Sequence, residues 1–179
     1  MRTKSLNYYS VFALLIFLFV GASGNSQNLK PIKTEILVEG TSNIHDWEMT
    51  SEKAVANVET NSGNVSKISV EIPVKSLESG KGGMDKNAYK ALNEDDYPTV
   101  KFSSTEVSAS KITGKLTING KTKTVAIPVS TKKASQGVEI SGKHTINMTD
   151  FGIEPPTALM GTIKTGEEVT INFNFQVNQ

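Results

Sequence analysis

From Val169 to Val177 the chain alternates without a break. Val169, Ile171, Phe173, Phe175 and Val177 fall on one side, and Thr170, Asn172, Asn174 and Gln176 on the other. Successive side chains of a strand point to opposite faces, so this segment reads as a strand with one dry and one wet face. The pattern recurs along the chain. Thr34 to Glu39, Ile44 to Met49 and Ala54 to Glu59 are expected strands. Ile68, Val70, Ile72 and Val74 then alternate with Ser69, Glu71, Pro73 and Lys75, with Pro73 suited to an edge or a strand end. Val100, Phe102 and Ser104 mark another strand, and Leu116 and Ile118 lead into Asn119-Gly120, a strong two-residue hairpin signal. Val125, Ile127 and Val129 return from it, and a further hairpin near Gln136-Gly137 leads to Val138, Ile140 and Ile146. About eight or nine strands therefore share one apolar face. With almost no helix to cover that face, the strands must cover one another in a barrel or a sandwich.

The single helical patch lies between Leu77 and Phe102. Met84, Ala88 and Leu92 recur at i, i+4 and i+8 with Tyr89 beside them, which makes one side of a short helix apolar. Gly80, Gly82 and Gly83 loosen the chain before it, Asp85 can accept from the open amides of its first turn, and Pro98 closes it. One helix inserted among strands reads as a lid on a closed sheet.

Three ordered motifs carry a family resemblance. The first is this stretch, with its Ser76-Leu77, Met84-Asp85, Tyr89-x-x-Leu92 and Tyr97-Pro98-x-x-x-Phe102. The second runs from Gly114 to Val125 through Leu116-Thr117-Ile118-Asn119-Gly120, and the third is Asp150-Phe151-Gly152-Ile153. Together they span about Thr34 to Val177, and the chain resembles the YceI-like family of secreted bacterial proteins that bind polyisoprenoid-type lipids. The resemblance implies an all-β fold, a closed antiparallel barrel of about eight strands, lipocalin-like, with an elongated apolar cavity and one short helix between strands. The segment after Trp47, Glu48-Met49-Thr50-Ser51-Glu52, lacks a glycine that the family often carries there.

Composition bounds the partners. The 179 residues suit one domain, and no repeat, low-complexity tract or linker divides them. Nineteen basic residues, of which Arg2 and Lys4 precede an apolar run, stand against 18 acidic ones. Arg2 is the sole arginine, so the rest of the chain lacks the side chain best suited to bidentate phosphate contacts, and nucleic acid is not an expected partner. Val11 to Val20 is apolar and is followed by Gly21-Ala22-Ser23-Gly24, the layout of a secretory leader over residues 1–24, with the mature domain at 25–179. The run is shorter than the roughly 20 residues that span a bilayer, so no stable membrane span is expected after cleavage. Cysteine is absent, which excludes disulfides, thiol chemistry and a lipidated cysteine anchor. A periplasmic or secreted location is expected.

Candidate functional residues follow from a barrel that holds one apolar ligand. His45 and Trp47, placed on one strand face, are expected at the cavity wall or mouth. Met84, Tyr89 and Leu92 supply the lid, and Phe102, Leu116, Ile118 and Phe173 the wall. Phe151, Leu159 and Met160, in a loop stiffened by Pro155 and Pro156, form either a plug or a gate that meets the lid. No catalytic residue is assigned. His45 beside Asp46 would be a base and its orienter only if both shared a face, which neighbouring strand residues do not. The alternatives to a lipid carrier are a secreted hydrolase using His45 or His144, and a structural or stress protein with a filled barrel. His45, His144 and a nearby Asp match no metal-ligand spacing, so no metal and no cofactor beyond a bound isoprenoid or other lipid is expected. The partner expected is an apolar small molecule or lipid, and a homodimer is left open.

Overall fold

The computed structural model describes residues 26–29, 31–61, 64–134 and 137–178. The leader expected over 1–24 and Gln136 in the second hairpin lie outside them. The alternating C-terminal segment becomes β11 (Ile163–Val177), which pairs antiparallel with β9 (Gly137–Asn147) on one side and β2 (Pro31–Ser42) on the other. Its register sets Phe173 opposite Gly142 and Ile36, and Val169 opposite Ile146 and Gly40. On the outer face, Thr145 and Thr170 are hydrogen-bonded at 2.9 Å and the Asn172 amide donates to Glu39 at 2.7 Å. Cross-strand pairs of this kind fix the register on the wet side as packing does on the dry side.

The other strands are β1 (Ser26–Leu29), β3 (Trp47–Ser51), β4 (Val55–Asn61), β5 (Asn64–Pro73), β6 (Thr99–Val107), β7 (Lys111–Ile118), β8 (Lys121–Ala134) and β10 (Thr157–Ala158). They form one antiparallel sheet in the order β1-β4-β5-β6-β7-β8-β9-β11-β2-β3, with β10 beside β11. The hairpin at Asn119-Gly120 is present. Both residues have positive φ, 49° and 70°, as a turn matched to the strand twist requires. Pro73 is the last residue of β5, where its missing N–H costs no ladder bond.

The closed barrel expected from sequence is corrected to a strongly curled half-barrel that stays open. Only Glu52 to Ala54 separates β3 from β4, and the Thr34 hydroxyl donates to Ala54 O at 2.8 Å, so the two ends of the sheet come close. They do not pair, because both facing edges are already used. β1 takes the free edge of β4, with Leu29 opposite Val58. Thr50 in β3 exchanges two 2.9 Å backbone bonds with Glu78, in the segment before the helix. The described residues also contain more strands than the eight expected, because the short β1 and β10 carry little alternation to read.

The helix α1 (Gly82–Ala91) follows a 3-10 turn at Val74–Ser76. Lys81, at the N-cap position before it, supplies no side-chain cap, and Asp85 does not cap the first turn as expected. The Asp85 carboxylate reaches back instead, accepting from the Ser79 amide at 2.8 Å and the Ser79 hydroxyl at 2.6 Å. The far end is tied down by Lys75, whose ammonium meets Glu94 at 2.8 Å and is held in its charged form by that contact. Tyr89 adds a third tie, its hydroxyl donating to Leu77 O at 2.8 Å.

The core is two buried clusters. One is built on Ile36, Val58, Ile68, Ile140 and Phe175, the other on Val74, Ile118, Ile146, Met148 and Phe151. Val38, Trp47, Ile72, Leu92, Phe102 and Ile171 pack against both clusters, yet are themselves only partly buried. Along β11 the inward row is buried at Val169, Phe175 and Val177 but only half-buried at Ile171 and Phe173. Inward apolar residues that retain exposed surface face a space the side chains do not fill.

Candidate functional site

That space is a cavity of about 650 Å³ between α1 and the concave face of the sheet. Its floor is supplied by inward rows of strands: Ile36 and Val38 from β2, Met49 from β3, Ile72 from β5, Val169 and Ile171 from β11. Branched aliphatic side chains stand upright on a sheet and line it without crossing to the opposite wall, so the concave face stays open. The roof is the helix face made by Met84, Asn87, Ala88, Ala91 and Leu92, which follow the i, i+3, i+4, i+7, i+8 rule for one side of a helix. Ala88 and Ala91 in the middle of that face keep the roof high. A smaller chamber of about 70 Å³ adjoins it and shares the walls Ile36, Ile72, Val100 and Ile171. Its lining adds Phe102, Leu116 and Phe173, with His144 as its polar member. Burial pushes the His144 imidazole below its usual pKa of 6.5, so the neutral ring is favoured there.

The mouth is formed by α1, the turn between β2 and β3, and the segment leading to β10. Trp47 and His45 both border it, by different routes from the one expected. His45 is not in a strand but in the turn that follows Ser42, so Ile44 and His45 both reach the rim. The turn is built by Ser42, whose hydroxyl donates to His45 O at 2.7 Å and accepts from the amides of Ile44 and His45. His45 Nδ1 lies 2.7 Å from the Asp46 carbonyl oxygen, which can only accept, so Nδ1 carries the proton and the neutral ring presents a bare Nε2. Trp47 lies flat over Gly40, where an added Cβ would fall 2.2 Å from the ring, and its indole N–H donates to Thr41 O at 2.9 Å. Only glycine at position 40 lets the indole settle against the strand and leave the mouth open.

The sequence-derived residues therefore divide. His45, Trp47, Met84, Leu92 and Ile118 line the main cavity, and Phe102, Leu116 and Phe173 the inner chamber. Tyr89 lines neither, because its ring turns towards Leu77. Phe151 lines neither. It is 2 % exposed at the end of a 3-10 turn (Met148–Phe151) that Gly152 terminates in the left-handed conformation, and it belongs to the second core cluster. Leu159 and Met160 are exposed in a turn that both enter with positive φ, and the residues that reach the cavity from this segment are Pro156, Thr157 and Ala158. Residues missed by sequence reasoning include Val38, Met49, Ala91, Ile146 and Ile153. For the first four the signal, an inward position in a strand or on the helix, is the same signal that buried core residues give, whereas Ile153 lies in the irregular segment after the 3-10 turn and has no period to read.

Chemically the cavity offers dispersion and water exclusion. Among the described residues no three of His, Cys, Asp and Glu are grouped so as to hold a metal ion. No helix of the described residues is long and apolar enough to cross a membrane.

A model of the YceI-like domain matches residues 28–177. UPF0312 proteins of Pseudomonas putida strains F1 and W619 are each 36 % identical over 111 residues, covering 55 % of this chain and 58 % of theirs. The alignment thus spans less than two thirds of the length of these curated relatives. Among solved structures, BcnA of Burkholderia cenocepacia superposes with a TM-score of 0.68 at 21 % identity, covering 79 % of this chain and 94 % of that one. A polyisoprenoid binding domain from Saccharophagus degradans, implicated in plant cell wall breakdown, superposes with a TM-score of 0.63 at 10 % identity over 87 % of this chain and 98 % of that one. At these identities the structural likeness speaks for the fold.

Proposed function

The chain belongs to the YceI-like domain family, and from that premise we propose that it is an exported binding protein which holds a polyisoprenoid or similarly long apolar molecule in the cavity under α1, for sequestration or carriage through an aqueous compartment. The observation that supports this most is the pair of buried clusters with half-buried Val38, Ile72, Leu92 and Ile171 facing the space between them. A space of about 650 Å³ falls within the usual range of roughly 300–1,000 Å³ for small-molecule sites. The ligand class is taken from the Saccharophagus degradans domain, described as polyisoprenoid-binding.

The energetics favour length. Each buried methylene gains about 0.8 kcal/mol, while association costs roughly 4 kcal/mol or more in lost freedom. About fifteen buried carbons are needed before a micromolar surplus remains, near 8 kcal/mol. No catalytic group takes part, and the periplasm or the cell exterior is the compartment implied by the leader-like start of the sequence. Mass spectrometry of the protein from the non-cytoplasmic fraction, intact and after organic extraction, tests both halves. The proposal expects a chain starting near Asn25 or Gln27 and one co-purifying long-chain apolar compound. A chain still starting at Met1, or an extract without any such compound at stoichiometric level, contradicts it.

A further inference from the structure

The charged residues that line the cavity are of one sign. Lys81 and Lys86 line the cavity together with Asn87, and none of the 18 acidic residues of the chain is among the lining residues described. Asp46 in the turn between β2 and β3 and Glu154 before β10 carry no ion pair among the described residues but do not line the cavity, and carboxylates on and beside the helix have partners of their own. Asp85 accepts from Ser79, Glu78 faces Lys53 at 4.0 Å, and Glu94 meets Lys75. Every other ion pair of the described residues leaves Lys81 and Lys86 out. The Asn87 side-chain amide likewise has no hydrogen-bond partner among them. An apolar cavity whose lip carries two unpaired ammonium groups and a free amide N–H is matched to a molecule that is apolar along its length and negative at its end. A ligand with a neutral end would leave both cations with water alone.

We propose that the mouth selects an amphiphile with an anionic oxygen head group, a carboxylate or a phosphate, held by Lys81 and Lys86 with Asn87 donating a hydrogen bond. The inference rests on the apolar-binding reading above and adds the chemistry of the head. His45 takes no part while neutral, since its outward nitrogen is an acceptor. Ammonium groups on flexible stems adapt to either head group, so the lysines choose charge and leave shape open.

The test compares three molecules with one C20 chain: geranylgeraniol, geranylgeranoic acid and geranylgeranyl monophosphate. Each displaces a fluorescent apolar probe from the intact protein at low ionic strength. The acid and the phosphate are expected to bind roughly 2- to 30-fold more tightly than the alcohol, the range that two solvent-exposed ion pairs supply. Added salt at 1 M, where the Debye length is about 3 Å, should shrink that ratio. The double variant Lys81→Gln/Lys86→Gln should bring the acid and the phosphate down towards the alcohol with its unfolding midpoint unchanged. Lys101→Gln, which removes an outward cation of β6 paired with Glu71 of β5, should keep the ratio. A phosphate preferred over the acid identifies the head group as phosphate, and the two bound alike identify any anionic oxygen. Both outcomes support the proposal. An alcohol that binds as tightly as the anions overturns it while the apolar-binding reading stands, and so does a ratio that survives the double substitution. If none of the three binds, both fall.

Discussion

Ala88 lies at the centre of the helix face that roofs the cavity, and Ala88→Phe separates an open cavity from an ordinary core. In an open cavity the new ring has room, since about 650 Å³ lies beneath it. A phenyl ring buries roughly 150–250 Å² when fully covered. Covering about 100 Å² at 25 cal/mol per Å² stabilises the empty protein by roughly 2.5 kcal/mol. The lower helix propensity of Phe offsets about half a kcal/mol of this. The urea midpoint of the unliganded protein should therefore rise. Ligand binding should weaken, because the ring takes the place of two or three methylenes at about 0.8 kcal/mol each, a loss of roughly 15- to 60-fold in affinity. Urea unfolding and displacement of a fluorescent apolar probe, measured on the same preparation, read the two effects. A midpoint lowered by the 1–3 kcal/mol or so typical of overpacking, with probe affinity unchanged, would refute the reasoning.

Two further outcomes test the division between core and site. Phe151→Ala should cost about 3–5 kcal/mol, as truncation of a buried aromatic does, while Met160→Ala, at a fully exposed turn position, should stay within about 0.5 kcal/mol and leave apolar affinity unchanged; urea midpoints check both, and a large loss at Met160 would restore that loop to the core. Stability should also fall as pH drops from about 6.5 towards the lowered folded-state pKa of His144, because there the unfolded chain binds the extra proton and the folded chain does not. Above pH 6.5 the contribution is fully present, and His144→Leu should remove this part of the pH dependence; an equal slope in that variant would show that other groups carry it.

The strands were legible because a period of two is a local property, visible within five residues from Ile68 in β5 or from Val169 in β11. The Asn119-Gly120 turn was legible for a similar reason, since positive φ at two adjacent positions leaves few residue choices. Barrel closure was not legible. It depends on what occupies two edges, and neither the polar Ser26–Leu29 strand nor the backbone of Glu78 advertises itself in the apolar pattern. The helix stripe placed Met84, Ala88 and Leu92 where they lie, but Tyr89, only one residue on, is turned by about 100° and finds a carbonyl of its own. Ile171 and Val169 are alike in sequence, both inward on β11, yet one is half-buried and the other buried. Whether an inward residue meets a neighbour or a cavity is settled by three dimensions. Leu159 and Met160 made the opposite error plausible, because an apolar loop residue suggests a partner, whereas these two complete a left-handed turn in solvent.

Trp47 is the chain's single tryptophan and stands at the cavity mouth, so its emission reports on this site without interference. Titration of the protein with a long apolar chain brominated near one end is the most direct test of the claim that the space between the two core clusters takes an apolar ligand. Bromine quenches indole fluorescence on contact. The account predicts saturable quenching that ends at one ligand per chain and is weakened in Ala88→Phe. Emission that stays constant, or that falls linearly without saturation and equally in both proteins, would contradict it.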